Sequence, residues 1–305
     1  MKNLLNISDL SKDDFDKILS FASSIKLNTE NCLKNKHIGL IFEKNSTRTR
    51  LSFQVGINQL HGNYIDIKLE ELNLQRVESF EDTFEIMSCY LDALVFRTTN
   101  HEKLKLASKY FNKPIINALS DISHPCQAIS DIYTLKEHFQ KKDGFNIVWC
   151  GDLNNVLFSL LESMKYLDSS KIDIFTDKKI YEKNHHNFLK SDNISYHFKL
   201  DDKILESADC VMTDVFNSMN DKEDKEVALK KFMVDQELMN KTPESAVFMH
   251  CLPAKIGSEV SNNVIKGPKS IVLKQAKNRM IAQRGIMKWL ELSVYFLFLF
   301  SLVVK

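Results

Sequence analysis

Glycine is scarce in this chain, with 8 in 305 residues, and none falls in a GxxxxGK(S/T) pattern. A P-loop nucleotide enzyme is thereby excluded. The glycine-led turn Gly151-Asp152-Leu153-Asn154-Asn155 lacks the further glycines of a dinucleotide fingerprint. Side chains must do here what glycine-rich loops do elsewhere. An excess of one charge is also missing, because 41 Lys and Arg face 40 Asp and Glu, a net charge of +1. Nucleic acid and anionic membrane are therefore not expected as partners, while a small anionic substrate held by local arginines remains compatible.

Metal-ligand spacing is absent as well. The cysteines Cys32, Cys89, Cys126, Cys150, Cys210 and Cys251 are widely spread, and no pair has CxxC spacing. Reduced thiols are the default. No basic segment followed by an apolar stretch opens the chain, and Asp9, Asp13, Asp14 and Asp16 argue against a transit peptide. The expected location is cytoplasmic. There is no internal repeat or low-complexity linker. Leu292 to Val304 is almost wholly apolar but falls short of the ~20 residues a spanning helix needs. A packed terminal helix, an interfacial anchor contacting membrane and an added tail all stay open for it.

What is present is a composition with 44% hydrophobic residues, enough for a sizeable core and two domains. Short apolar runs alternate with helix-length segments. Strands are expected at His37–Phe42, Tyr64–Leu69, Ala93–Phe96, Ile115–Leu119, Asn146–Cys150, Ile172–Phe175, Ser195–Phe198, Cys210–Thr213, Ala246–Met249 and Ile271–Leu273. Helices are expected after Ser11, from Ser46 to Leu60, after Ser79, and at Ala128–Phe139, Val156–Tyr166, Lys222–Phe232, Asp235–Met239 and Gln275–Leu290. The expected fold is α/β in two domains, each a parallel sheet flanked by helices, with the active site in the interdomain cleft. The expected division is 1–140, completed by the helix 275–290, then 141–274, then the apolar tail 291–305.

The segment Ser46-Thr47-Arg48-Thr49-Arg50 joins a strand to a helix start. Free backbone N–H groups and the positive end of the helix dipole favour an anion there, and arginine offers planar paired donors to phosphate oxygens. A bare helix cap with solvated arginines is the competing reading. Position favours the phosphate seat, because Ser46 to Arg48, Arg97, His124, Asn155, Asp214 and Cys251 all follow expected strand ends. Singly, His124 reads first as a structural histidine, Asp214 as a loop carboxylate, Cys251 as an inert thiol, Met219 as core and Arg279 as a solvated helix residue, while Asn155 reads equally as a turn residue.

Together, Phe42-Glu43-Lys44-Asn45-Ser46-Thr47-Arg48-Thr49-Arg50, Phe96-Arg97-Thr98, His124-Pro125-Cys126-Gln127, Asn154-Asn155, Asp214 with Ser218-Met219, His250-Cys251-Leu252-Pro253 and Lys277-Asn278-Arg279-Met280 resemble the ordered motifs of the ornithine carbamoyltransferases. The resemblance covers about residues 1 to 290 and implies an enzyme with no metal or organic cofactor. It implies carbamoyl phosphate on Ser46, Thr47, Arg48, Thr49, Arg97, His124, Gln127, the Cys251-Leu252 backbone and Arg279. Ornithine would lie on Asn155, Asp214, Ser218 and Met219. Arg97, His124, Asp214 and Cys251 would carry the catalytic roles, and the assembly would be a homotrimer. Departures from the family pattern stand at His61, Asn73, Gln75, Asn220 and Lys255-Ile256. Two alternatives remain: another amine acceptor, such as putrescine or an acylated ornithine, and a non-catalytic carbamoyl-phosphate binder.

Overall fold

The computed structural model describes residues 2–27, 31–72, 78–184, 189–217 and 223–303, with side chains described as far as residue 290. Ser218, Met219 and Asn220, and Asn73 and Gln75, lie outside the described residues. The chain divides into two compact units, Met1–Tyr133 with Asn278–Lys305, and Thr134–Lys277.

The first unit is built on a four-stranded parallel sheet of β1 (His37–Phe42), β2 (Asn63–Ile67), β3 (Ala93–Arg97) and β4 (Ile115–Leu119), in the order β2-β1-β3-β4. Parallel strands covered on both faces read as continuous apolar runs, and Ile38, Leu40 and Ile41 of β1 and Leu94, Val95 and Phe96 of β3 are all buried. Ile41, Phe84, Leu94, Phe96, Leu104, Phe111 and Ile115 form one core cluster. Burying each such side chain contributes about 1.5–3 kcal/mol. Ser11 starts the helix Lys12–Leu27 as a capping box with Asp14, and that helix buries Phe15, Ile18, Leu19, Ala22 and Ile25.

The second unit carries β5 (Asn146–Cys150), β6 (Lys171–Phe175), β7 (Ile194–His197), β8 (Cys210–Thr213) and β9 (Val247–His250), all parallel, in the order β7-β6-β5-β8-β9. Trp149, Phe145 and Phe175 are fully buried beside the strands. In both sheets the strand order reverses once, between β1 and β3 and between β5 and β8. Open α/β sheets bind ligands beyond the carboxyl ends of the strands at that reversal.

Three sequence expectations are corrected. Ile271–Leu273 is not a strand: the helix Val272–Val303 begins inside it, and only a single bridge joins Ser270 to Phe248. Three apolar residues have no periodicity of their own, and the burial of Val272 beside the exposure of Leu273 suits a helix start. Lys222–Phe232 is not one helix; among its described residues, Glu226–Leu229 is α-helical and Lys230–Phe232 is a 3-10 turn. The helix expected from Ala128 starts at Pro125, which puts Pro125-Cys126-Gln127 in the first turn of a helix, with His124 immediately before it, rather than in a loop. Proline is at home there, since its missing N–H would be unpaired in any case. The backbone of the last helix continues through the apolar stretch, and among the described residues no helix is long and apolar enough to cross a membrane.

Gly151 directly follows β5 with φ +130°, and a Cβ placed on it would lie 2.9 Å from the ring of Phe216. Backbone strain of about 1–3 kcal/mol follows from any side chain here. Gly151→Ala is therefore expected to lower Tm by at least about 2 °C in thermal denaturation, and an unchanged Tm would contradict this reading of the turn.

Candidate active site

In the first unit the reversal between β1 and β3 places two loops side by side. Ser46 adopts extended backbone before the helix Thr47–Gln59, and its Oγ accepts the Thr49 N–H at 3.3 Å. Thr47, exposed, and Arg48, half-buried, occupy the first turn, where helical N–H groups point outward. Arg97 ends β3, and the register between β3 and β4 shifts between Phe96 and Arg97. Such an irregularity re-aims a side chain at the end of a ladder.

Glu43 holds this corner together. Its N–H donates to the Arg97 carbonyl at 3.0 Å, and its Oε2 accepts from Thr98 Oγ1 at 2.7 Å and the Thr99 N–H at 2.9 Å. Burial pushes the Glu43 carboxyl up, but these hydrogen bonds and Lys103 outweigh it and hold the group below the usual carboxylate range. Glu43 stands in the Phe42–Arg50 motif, but sequence reasoning gave it no role of its own.

A chain of buried polar groups lies beside this corner. Arg279 donates to Gln127 Oε1 through one guanidinium nitrogen and to Thr49 Oγ1 at 2.7 Å through another. Gln127 Nε2 in turn donates to Asp131 Oδ1 at 2.8 Å. Thr49, His124, Gln127, Asp131 and Arg279 are each at most 3% exposed. Burial first, and then the positive charges of Arg279 and Arg97, hold His124 well below the ordinary imidazole range. A neutral imidazole is therefore presented beside two arginines. The structure thus brings Thr49, Arg97, His124, Gln127 and Arg279 together. It sends Arg50 elsewhere, over the ring of Phe42 at 5.1 Å and 3.9 Å from Asp66. Arg50 is part of the Ser46–Arg50 motif but not of this cluster.

In the second unit the reversal between β5 and β8 gathers Asn154 and Asp214. Asn154 caps the helix Asn155–Met164 with its Oδ1 and donates Nδ2–H to Asp214 Oδ2 at 2.8 Å. Cys251 Sγ lies 3.1 Å from Asp214 Oδ1, so both carboxylate oxygens are engaged. Asn155, expected to touch substrate, is half-buried on the first helical turn, whereas Asn154 is the asparagine that orients Asp214. Either member of an Asn-Asn pair could have been the cap, and the sequence does not tell them apart.

The His250-Cys251-Leu252-Pro253 turn is set by His250. Its Nδ1 accepts the Leu252 N–H at 2.9 Å and its Nε2 faces Glu259 Oε1 at 3.1 Å, both side chains being fully buried. Leu252 has φ +57° and precedes a cis proline. Among the described residues, Asp214, His250 and Cys251 are a trio whose donor atoms lie within 4.8 Å. Because both ring nitrogens of His250 are already used, the trio is better suited to shaping the turn than to holding a cation. Burial pushes the Cys126 thiol up to about 12, which leaves it an inert core group.

The depressed His124 value has a sign that can be tested. In the unfolded chain histidine takes up a proton near 6.5, so below that pH the unfolded state binds more protons than the folded one. Stability is intact above pH 6.5 and is lost as the pH falls below it, with His101 and His138, also held low by burial, adding to the loss. His124→Asn is expected to shrink the drop in Tm between pH 7 and pH 5; an unchanged drop would contradict a buried neutral His124.

Residues 2–137 match the carbamoyl-P binding domain of aspartate/ornithine carbamoyltransferase, and residues 143–290 match the Asp/Orn binding domain of the same family. The chain is 37% identical to the ornithine carbamoyltransferase of Methanosphaera stadtmanae, over 94% of this chain and 98% of that protein. It is 38% identical to that of Agrobacterium fabrum, over 94% and 97%. The solved structure of ornithine carbamoyltransferase from Burkholderia thailandensis superposes with a TM-score of 0.86 at 31% identity, covering 95% of this chain and 98% of that one. The structure from Pyrococcus furiosus gives 0.82 at 33%, covering 94% and 96%. With both domains matched in order and the arginine, histidine and carboxylate clusters seated at the two strand-order reversals, the chain belongs to the aspartate/ornithine carbamoyltransferase family of transferases.

Proposed function

We propose that this protein transfers the carbamoyl group of carbamoyl phosphate to the δ-amine of L-ornithine, giving L-citrulline and phosphate, as a step of arginine biosynthesis. The observation that carries the reading is the buried chain Thr49–Arg279–Gln127 with neutral His124 beside it. Ser46, Thr47, Arg48 and the N–H groups of the first turn take the phosphate, with Arg97 adding a guanidinium. Thr49, Arg97 and His124 point donors at the carbonyl oxygen, where negative charge develops as the amine attacks. Thr49 already accepts from Arg279, so its own hydroxyl proton is available to donate. A histidine that stays neutral donates to that oxyanion without losing a proton to the phosphate.

On the acceptor side, Asp214 carries the role of receiving the δ-ammonium and taking one proton, with Cys251 beside it. The amine nitrogen then bonds to the carbamoyl carbon, the bond from that carbon to the phosphate oxygen breaks with its electron pair leaving on phosphate, and the second proton of the attacking nitrogen passes to the departing phosphate. Asn155, Ser218 and Met219 complete the ornithine contacts in this proposal, and the Cys251-Leu252 backbone adds to the carbamoyl-phosphate contacts. A different amine acceptor is the second reading, favoured by Asn220 standing where the family pattern has glycine.

The protein is proposed to act in the cytoplasm as a homotrimer. The free state of all six cysteines supports the first point. The second is supported by the first unit, where Leu51, Val55, Tyr64, Ile65, Ile86 and Tyr90 are exposed apolar side chains and the edge strand β2 is open.

Purified protein is expected to form citrulline from carbamoyl phosphate with ornithine, and not with putrescine or N-acetylornithine. Arg48→Ala should lower kcat/KM at least about a hundredfold. Turnover with another amine alone would overturn the ornithine assignment, and binding of carbamoyl phosphate without turnover with any acceptor would overturn the enzyme reading.

A further inference from the structure

Asp131 is fully buried on the helix Pro125–Phe139, one turn beyond Gln127, and belongs to none of the motifs that mark the site. Its Oδ1 accepts the Nε2–H of Gln127 at 2.8 Å. The opposite end of the same amide, Oε1, accepts from the Arg279 guanidinium, whose other nitrogen donates to Thr49 Oγ1 at 2.7 Å. The orientation of this amide follows from its neighbours. A carboxylate accepts and a guanidinium can only donate, so the nitrogen must face Asp131 and the oxygen must face Arg279. Turning the amide over would set N–H against N–H and oxygen against oxygen in a buried place, where each unmet group is costly.

The polarity of Gln127 decides what kind of acyl phosphate fits. A carbonyl oxygen has two lone pairs and Arg279 uses one, so the second can accept from the acyl group of a ligand proposed to sit beside Arg279, Thr49 and His124. A carbamoyl group carries an NH2 that can donate to such an oxygen. An acetyl group has the same size but offers a methyl, which would leave the second lone pair of that buried oxygen unmet while Arg279 still occupies the first. Sites built to bind a substrate N–H reject the analogue lacking it far more strongly than they reject a change of one methylene.

We propose that Asp131 is a positioning residue that fixes the Gln127 amide with its oxygen toward the acyl phosphate, and that this selects carbamoyl phosphate over acyl phosphates without an N–H donor. The inference rests on the carbamoyl-phosphate reading of the first unit and assigns Asp131 a role within it. Asp131 acts through hydrogen-bond acceptance, so a side chain that keeps an acceptor oxygen in its place retains the selection.

The test compares wild type, D131L and D131N by KM for carbamoyl phosphate, KM for ornithine and the inhibition constants of acetyl phosphate and inorganic phosphate. For D131L the KM for carbamoyl phosphate is expected to rise at least about tenfold, as for loss of a buried hydrogen bond. The acetyl phosphate and phosphate constants and the ornithine KM should stay within about twofold, and D131N should keep most of the wild-type preference. An unchanged preference in D131L, an equal weakening of all three phosphates, or a D131N as impaired as D131L would each overturn the proposal. If D131L does not fold, Gln127→Met carries the same comparison: loss of the preference supports the proposal, and a retained preference overturns it. A wild type that does not use carbamoyl phosphate at all would instead remove the underlying reading before any variant is considered.

Discussion

A guanidinium removed from water must be met on every side, and the first unit is arranged around one such group. Arg279 is 3% exposed and is met by Gln127 from the helix Pro125–Phe139 and by Thr49 from the helix that Ser46 caps. Breaking such an arrangement by removing one partner leaves an uncompensated buried charge or donor, which is strongly destabilising. The three residues are far apart in sequence, so this arrangement exists only once the last helix has docked on the first unit. The proposed anion seat is thereby completed together with the fold. His124 follows from this too, because burial beside Arg279 and Arg97 is what keeps its ring neutral.

The second unit uses the complementary device. Asp214 at the end of β8 has one oxygen on Asn154 and the other on Cys251, which directs a carboxylate at a position where a cationic amine is the natural guest. Its support reaches back into the scaffold through Thr213, whose Oγ1 donates to the Cys150 carbonyl at 2.5 Å, and through the Gly151 turn that fits under Phe216. His250 and Glu259 shape the neighbouring backbone in the same way, with hydrogen bonds rather than apolar contact. Both proposed ligand sites therefore stand on strand ends whose loops are tied by buried polar groups.

Much of this was legible before any coordinates. β1, β4, β5 and β8 fall where their apolar runs end, because a strand covered on both faces leaves a continuous hydrophobic signature. The side chains proposed to seat the anion were legible as a group for the same reason: they cluster at the ends of those runs. What the sequence hid was mostly direction. Arg48 and Arg50 look alike in the motif, yet one stays on the first helical turn while the other turns toward Phe42 and Asp66. Asn154 and Asn155 could not be separated without knowing which one caps. Glu43, present only as one member of a motif, and Asp131, in none, gave no sign of their hydrogen bonds, since a carboxylate that accepts buried hydrogen bonds is indistinguishable in sequence from one facing water. Ile271–Leu273 misled because three apolar residues carry no period.

The measurement that bears most directly on the buried arginine is calorimetric titration of carbamoyl phosphate, without ornithine, into wild type and Arg279→Lys. Lysine keeps the charge but cannot reach Gln127 and Thr49 with a planar pair of donors. The account predicts binding at least about tenfold weaker in the variant, with the second unit unaffected. Equal affinity in the two proteins would show that charge alone suffices, and would contradict a seat built on the Thr49–Arg279–Gln127 chain.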